Sequence, residues 1–223
     1  MVPTHKIWRR LLLWAAGSSA FASVFFLIAS HTDLPLAWVY LGITSLLGLW
    51  VALAVDSGLV AERNRPGPGG ADHFTWLCTS CLFAAHWIIA PVDIRWHLTN
   101  SVPTWLQAIG LVGYAVASGF TIWAVVVNRF FSPIVRLQEE RGHHLISHGP
   151  YRLVRHPGYL GMVIAVPCSG LALGSWLALI PATAYALVIL RRAAFEDQYL
   201  RRHLDGYQTY ADAVRYRLVP GIW

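Results

Sequence analysis

The sequence predicts an all-α, polytopic integral membrane protein with about six transmembrane helices, the last two of which form a helical hairpin. Of its 223 residues, 56% are hydrophobic and only 13% are charged, whereas soluble domains contain about 25% charged residues. Long apolar blocks follow one another along the chain, and a helix needs about 20 mostly apolar residues to cross a bilayer. This composition argues against a water-soluble enzyme and against a disordered chain. The three cysteines, an odd number, argue against a disulfide framework.

The first four apolar blocks are each long enough to form one membrane span. Hydrophobicity continues without a break through Ile28, so the first block is predicted to be an uncleaved helix, with a signal peptide as the alternative. The polar stretch Glu62–Gly70 contains prolines and glycines and is predicted to break helical structure. The predicted spans are Leu11–Ser30, Leu36–Val55, Thr75–Val92 and Thr104–Val127.

The fifth apolar block, Gly158–Leu190, is too long for one ordinary span. Gly174 and Ser175 interrupt it near its middle, so the block is predicted to form two short helices that turn at these residues. A single long kinked helix, which would give five crossings, is the alternative.

The basic residues predict the orientation. With six crossings, every Lys and Arg except Arg95 falls on the same side of the membrane as the N-terminus. Because Lys and Arg collect in cytoplasmic loops, both termini and the polar loop Asn128–His156 are predicted to face the cytoplasm. In a prokaryote, the protein would lie in the cell inner membrane. The basic residues are spread between apolar blocks and do not indicate a nucleic-acid partner. We expect the chain to divide into a four-helix transmembrane region, residues 1–127, and a core region that contains the candidate functional residues, residues 128–223.

Two polar clusters flank the predicted hairpin, one in Gly142–Tyr159 and one in Arg191–Arg217. Charged groups held against lipid are costly and usually mark a functional site, although anchoring at the headgroups explains single Arg and Tyr residues. Arg192 and Glu196 are four residues apart on a predicted helix and share a face. They could present a cation and an anion to one ligand.

The histidines of the first cluster do not predict a metal site, because glycine and proline bracket them and no carboxylate or cysteine nearby completes a ligand set. These histidines are His143, His144 and His148. Cys78 and Cys81 lie inside the third span, and His86 nearby fits an interhelical hydrogen bond better than a haem or redox site.

The C-terminal half contains a series of motifs that occur in the same order in a known family. They are Gly149-Pro150-Tyr151-Arg152, Arg155-His156-Pro157-Gly158-Tyr159, Arg192-x-x-x-Glu196-Asp197, Gly206-Tyr207-x-x-Tyr210 and Arg215–Pro220. The series resembles the isoprenylcysteine carboxyl methyltransferase family over residues 128–223, and the closing residues are similar to its prokaryotic branch.

The resemblance implies a methyltransferase that uses S-adenosylmethionine at the cytoplasmic face of the membrane. Its partners would be membrane lipids and a lipophilic or amphiphilic acceptor. The carboxylate of a prenylcysteine-like molecule is favoured, with a lipid amine or a small thiol as alternatives. The resemblance implies that Glu196 holds the cofactor and that Arg192, or its neighbour Arg191, contacts the acceptor. Arg192, His156 and Arg155 are the candidate catalytic residues. The other candidate cofactor-binding residues are His143, His144, Leu145, Ile146, Tyr151, His156, Pro157, Gly158 and Tyr159, with Arg136 or Gln138 near them.

Two other functions remain open at this point. Membrane sterol reductases share an Arg-His-Pro-x-Tyr loop and use NADPH, but they show an Asn after the proline and a Glu after the later glycine. This chain has Gly158 and Met162 at those places. A non-catalytic membrane protein on the same scaffold is the second alternative, and binding of S-adenosylmethionine, of NADPH or of neither distinguishes the three.

Overall fold

The computed structural model of the protein describes residues 4–68 and 70–223, and its regular elements are helices joined by loops. A single antiparallel bridge, between Ala71 and Val135, links two of the loops. The α-helices are α1 (Thr4–Ala29), α2 (Pro35–Ala54), α3 (Ser57–Asn64), α4 (His73–Trp96), α5 (Thr104–Val127), α6 (Pro157–Ala172), α7 (Leu179–His203) and α8 (Tyr207–Ala213).

Four of these helices are long and apolar enough to cross a membrane. They are α1 over Ile7–Ala29, α2, α4 and α5, and they correspond to the four spans predicted from the sequence. Large apolar side chains on their outer faces are exposed, for example Leu12 at 70% and Leu27 at 75%. A contiguous exposed surface of this kind fits a lipid environment. The prediction of a helical polytopic membrane protein is therefore confirmed.

The short helix α3 corrects one prediction. The stretch Glu62–Gly70 was expected to break helical structure, but α3 continues through Glu62 and Arg63 to Asn64. The Asp56 side chain caps its start by accepting a hydrogen bond from the Leu59 N–H at 3.0 Å, which satisfies one of the free donors of the first turn. The break begins only at Arg65, the residue before Pro66, where a following proline disfavours helical dihedrals.

The helices α6 and α7 form the predicted hairpin, and one long kinked helix is not observed. The chain turns through Gly174, whose φ of +81° suits a residue without a Cβ. Beside it, the Ser175 hydroxyl donates to the buried carboxylate of Asp93 at 2.6 Å. Asp93 also accepts from the Thr99 N–H at 2.8 Å. This carboxylate at the end of α4 fixes the hairpin turn to the rest of the bundle.

Inside the bundle, His86 joins α4 to the hairpin, as the sequence analysis favoured. Its ring nitrogens lie 2.5 Å from the Ser169 hydroxyl and 3.2 Å from the Ala178 carbonyl oxygen. Within residues 4–68 and 70–223, no three His, Cys, Asp or Glu side chains come together as metal ligands. His86 therefore belongs to the interhelical packing.

The helices α5 and α6 touch backbone to backbone along a seam of small residues. A Cβ added at Gly110 would lie 2.7 Å from the Ala172 nitrogen, and one added at Gly161 would lie 2.5 Å from the Ala117 carbonyl oxygen. Small residues allow such close packing of helices in membranes. The seam fixes the position of α6, whose first turn contains the motif residues Pro157, Gly158 and Tyr159.

The polar loops gather at one end of the bundle, which we call the site end. It contains α3, the loop Asn128–His156, the polar half of α7 from Arg191 onward, and α8 with the C-terminal segment. The hairpin turn at Gly174 and the α4–α5 connection lie at the opposite end. Both flanking clusters predicted from the sequence thus meet at one end of the bundle.

Candidate active site

A cleft at the site end is lined by most of the residues that the sequence analysis selected. We call it the loop cleft, because the loop Asn128–His156 forms one wall. The ends of α6 and α7 and the helix α8 form the other walls. The selected residues that line it are His143, His144, Leu145, Ile146, Tyr151, Arg155, His156, Tyr159 and Glu196.

Two of the selected cofactor-binding residues, Pro157 and Gly158, do not line the loop cleft. Both are buried in the first turn of α6, where proline is well suited to the first helical position. A Cβ at Gly158 would lie 2.7 Å from a ring carbon of Phe131. Gly158 therefore allows Phe131 to pack against the start of α6, next to Tyr159.

His143 forms part of the loop wall as a neutral ring. It stacks on Phe130, with 4.4 Å between the ring centroids, and its Nδ1 accepts a hydrogen bond from the Gln138 N–H at 3.2 Å. Burial lowers the pKa of His143 to about 4, and the neighbouring His144, Arg136 and Arg141 add to the shift. The ring is thus uncharged near neutral pH and does not repel a cation in the cleft.

Gln138 is the residue that holds this turn of the loop together. Its side chain is fully buried, and its amide donates to the Phe130 carbonyl oxygen at 2.7 Å. From His143 to Ser147 the loop has no helical structure, as the flanking glycines predicted. Leu145 anchors the far side of this segment by packing against Tyr207 and Tyr210 of α8.

Asp197 is the centre of a buried ionic network behind the loop cleft. Its side chain is 0% exposed, and its carboxylate meets Arg155 Nε at 2.7 Å and the Tyr207 hydroxyl at 3.0 Å. The side chains that surround it are Arg155, His156, Arg201, Tyr207 and Arg217. Burial alone would raise the pKa of Asp197, but the hydrogen bonds from His156 and Arg155 outweigh it and hold the pKa well below its usual range.

The same network explains the positions of Arg155 and His156. The Nη1 of Arg155 donates to the carbonyl oxygens of Val214 and Arg215, each at 2.7 Å. The His156 Nε2 lies 3.3 Å from Asp197 and 3.4 Å from the Tyr207 hydroxyl. The guanidinium of Arg155 therefore links the loop to the C-terminal segment. Arg155 contributes to the cleft by holding these two walls in place.

A second cleft lies between α4, α6 and α7, and we call it the helix cleft. Its walls are mostly apolar and aromatic. Trp76 and Phe83 of α4 and Ile189 of α7 contribute to these walls. Its polar end is formed by Arg63 and Arg192. Phe131, Ser132 and Tyr159 line both clefts and so form the partition between them.

A chain of hydrogen bonds crosses this partition. The Tyr159 hydroxyl donates to Glu196 Oε2 at 2.5 Å and accepts from Arg192 Nε at 2.8 Å. The Arg192 Nη2 also donates to the Ser132 carbonyl oxygen at 3.4 Å. Glu196 lines the loop cleft and Arg192 lines the helix cleft. The predicted helical pair is thus joined through one phenol, with the anion on one side and the cation on the other.

The structure distinguishes Arg192 from its neighbour Arg191. Arg192 is buried in the helix cleft, whereas the side chain of Arg191 is 67% exposed and lies 3.7 Å from Asp72. Arg191 also donates to the Thr75 hydroxyl at 3.1 Å. Of the two, Arg192 is therefore the arginine that can reach a ligand in the helix cleft.

A buried ion pair supports the floor between α3 and the loop. Arg136 donates from Nε and Nη2 to the two carboxylate oxygens of Glu62, at 2.9 and 2.8 Å. Glu140 binds the same guanidinium, and the Ser132 hydroxyl donates to Glu62 at 2.9 Å. The bidentate pair with Arg136 lowers the pKa of Glu62. Arg136, which the sequence left as an alternative cofactor contact, thus has its donors engaged by carboxylates.

The sequence analysis missed four residues of the site as candidates. Asp197 and Tyr207 were quoted within motifs but given no role, and Ser132 and Arg63 were not selected. Only 11 acidic residues occur in the chain, so an Asp next to the selected Glu196 was a signal that could have marked Asp197. Nothing in the local sequence places Arg63 or Ser132 beside Arg192, because tertiary packing brings these three segments together.

Comparison with known proteins identifies the family. The family model described as "Isoprenylcysteine carboxyl methyltransferase (ICMT) family" matches residues 109–202. A rice protein (Oryza sativa subsp. indica) named "Probable protein-S-isoprenylcysteine O-methyltransferase" is 35% identical over 150 residues, which are 61% of this chain and 77% of that protein.

A solved structure shares the fold, and a reductase shares a shorter stretch. The structure of a eukaryotic intramembrane Ras methyltransferase, isoprenylcysteine carboxyl methyltransferase, matches with a TM-score of 0.56 and 20% identity over 96% of this chain and 77% of that chain. A mouse Delta(14)-sterol reductase is 32% identical over 37% of this chain, but only 20% of the reductase is covered. The chain belongs to the isoprenylcysteine carboxyl methyltransferase family and is an integral membrane methyltransferase.

Proposed function

We propose that this enzyme transfers a methyl group from S-adenosylmethionine to the carboxylate of an isoprenylcysteine-like amphiphile at the cytoplasmic face of the membrane. The observation that carries the proposal is the partition between the clefts, where Tyr159 contacts Glu196 on one side and Arg192 on the other. A polar cleft and an apolar cleft that meet at one wall suit a water-soluble donor and a lipid-tailed acceptor. The division into residues 1–127 and 128–223 remains a prediction.

The loop cleft fits S-adenosylmethionine by its donor set. Glu196 Oε2 is bound by Tyr159, and Oε1 receives no hydrogen bond from any described residue, so the carboxylate can still accept from an ammonium group. The neutral ring of His143 and the phenols of Tyr151 and Tyr207 line a cavity that can hold a sulfonium, and the two arginines in the same lining, Arg136 and Arg155, are paired with carboxylates. When bound, the cofactor supplies an electrophilic methyl group on a positively charged sulfur.

The residues of this chain would then act by binding and orientation. Glu196 holds the cofactor from the loop cleft, while Arg192 binds the acceptor carboxylate from the helix cleft by charge-assisted hydrogen bonds. The carboxylate is already ionised near neutral pH, so no side chain has to remove a proton from it. Holding donor and acceptor in line can lower the barrier by about 7–11 kcal/mol at best. Arg155 and His156 act as positioning residues through Asp197.

The apolar walls of the helix cleft support a lipophilic acceptor. Trp76 and Phe83 face it from α4, and Tyr185 and Ile189 face it from α7. Trp76 and Phe83 are themselves partly exposed, at 46% and 45%, so an acceptor tail can reach the cleft from the bilayer. The orientation with the site end in the cytoplasm is proposed because the segments of the site end hold most of the Lys and Arg residues.

The test is titration calorimetry of the detergent-purified chain with S-adenosylhomocysteine and, in parallel, with NADPH. We expect micromolar binding of S-adenosylhomocysteine and no binding of NADPH. Methyl-labelled S-adenosylmethionine with N-acetyl-S-farnesylcysteine should then yield a base-labile methyl ester. Binding of NADPH alone would identify a reductase, and binding of neither compound would identify a non-catalytic protein.

A further inference from the structure

The helix cleft contains a second arginine that the proposed function does not use. Arg63 lies in the last turn of α3 and lines the helix cleft together with Arg192. Its guanidinium carbon is 5.9 Å from the centroid of the Phe131 ring. The Arg192 guanidinium carbon is 5.8 Å from the Tyr159 ring, and the two rings are 5.6 Å apart. Both cations therefore lie along the aromatic partition between the clefts.

The free donors of Arg63 distinguish it from the other arginines at the site. Within residues 4–68 and 70–223, no hydrogen bond or ion pair is formed by its guanidinium, and Arg192 leaves Nη1 without a partner. Arg136 and Arg155, in contrast, are bound by carboxylates at 2.8 and 2.7 Å. No acidic side chain lines the helix cleft, and Asp72 near its edge pairs with Arg191. The helix cleft thus presents a surplus of donors and positive charge.

The backbone position of Arg63 is fixed by its neighbours, and from there its exposed side chain lines the helix cleft. Glu62, the preceding residue, is held by Arg136 and by the Ser132 hydroxyl. The Ser132 carbonyl oxygen in turn accepts from Arg192. Ser132 therefore connects α3 and α7 and keeps the two arginines of the helix cleft beside each other.

We propose that Arg63 is an acceptor-binding residue, which holds the anionic head of the methyl acceptor together with Arg192. This inference rests on the proposed function and adds a second cation to the acceptor site. Two guanidinium groups in a cleft whose described lining contains no carboxylate favour an anion and disfavour an amine or a zwitterionic lipid head. The acceptor class is then an amphiphile with a carboxylate head and an apolar tail.

The test compares Arg63→Gln with Arg65→Gln, an exposed arginine of the same segment that does not line the helix cleft. For Arg63→Gln we expect the KM for N-acetyl-S-farnesylcysteine to rise about tenfold or more, as the loss of hydrogen bonds to a charged group implies. The affinity for S-adenosylhomocysteine should stay unchanged, which also shows that the variant is folded. Arg63→Lys should give an intermediate KM, and Arg65→Gln should behave like the wild type.

The neutral carboxamide of the same amphiphile separates charge recognition from packing. Its inhibition constant should be the same for wild type and Arg63→Gln. An unchanged KM for the carboxylate, an equal loss for carboxylate and carboxamide, or a loss of S-adenosylhomocysteine binding would each overturn the assignment of Arg63. If the wild type transfers no methyl group to the carboxylate, the proposed function fails, and direct binding of the two analogues to both proteins still tests the assignment.

Discussion

The arginines of the two clefts differ in whether carboxylates pair with them. Around the loop cleft, Arg136 and Arg155 are buried against Glu62 and Asp197, and carboxylate and carbonyl oxygens accept from their guanidiniums. In the helix cleft, Arg63 and Arg192 face a space without acidic side chains. A buried charge that is fully paired serves the architecture, because removing its partner leaves an uncompensated ion. A charge held in place but left with free donors is available to a ligand.

The comparison predicts its largest effect at the paired side. Asp197→Asn should lower the free energy of unfolding by about 3–5 kcal/mol, because three guanidinium groups would lose a buried counter-charge. The midpoint of thermal unfolding in detergent measures this, with the exposed Asp212→Asn as control. A stability equal to that of the control would contradict the structural role of the network.

Removing the acid of the loop cleft should affect the cofactor and leave the fold intact. Glu196→Gln should weaken S-adenosylhomocysteine binding by about ten- to a hundredfold, since hydrogen bonds to charged groups contribute about 1.5–3 kcal/mol. Calorimetry measures the affinity, and the unfolding midpoint should change by far less than in Asp197→Asn. Wild-type affinity would remove Glu196 from the cofactor site.

In the helix cleft, the expected effect of removing an arginine is a lower kcat/KM. Arg192→Ala should lower kcat/KM for the carboxylate acceptor by about tenfold or more and spare S-adenosylhomocysteine affinity. Arg191→Ala is the matched control, because its exposed contact with Asp72 contributes less than about 1 kcal/mol. If Arg192→Ala abolished cofactor binding instead, the roles of the two clefts would have to be exchanged.

The smallest expected effect is a pH dependence. The pKa of His143 in the folded protein is about 4, below the ~6.5 of an unfolded histidine. Between these pH values the His143 side chain is protonated in the unfolded state and neutral in the folded state. The free energy of unfolding should therefore fall as the pH falls from about 6.5 to about 4. Asp197, whose pKa is lowered, should contribute its loss only below about pH 4. His143→Gln should flatten the first slope in thermal unfolding, and an unchanged slope would show that His143 is not its source.

The fold was largely predictable because the lengths of the apolar blocks determine where the membrane-spanning helices lie. The bounds predicted for the fourth span coincide with those of α5, and the hairpin turns at the predicted Gly174. Of the site, the motif residues of the loop cleft were predictable from local sequence. The helix cleft was not, because Arg63, Ser132 and Arg192 are far apart in the chain and meet only after α3, α7 and the loop have packed.

The seam between α5 and α6 also limits which sequences can keep this fold. At Gly110 and Gly161 the close neighbours include backbone atoms of the facing helix, which cannot rotate away as a side chain could. In a library of random variants, we expect replacements on the outer faces of α1 and α2 to survive widely and Gly→Ala at these two positions to be lost. Two residues that contact no ligand would then be among the most restricted positions in the enzyme.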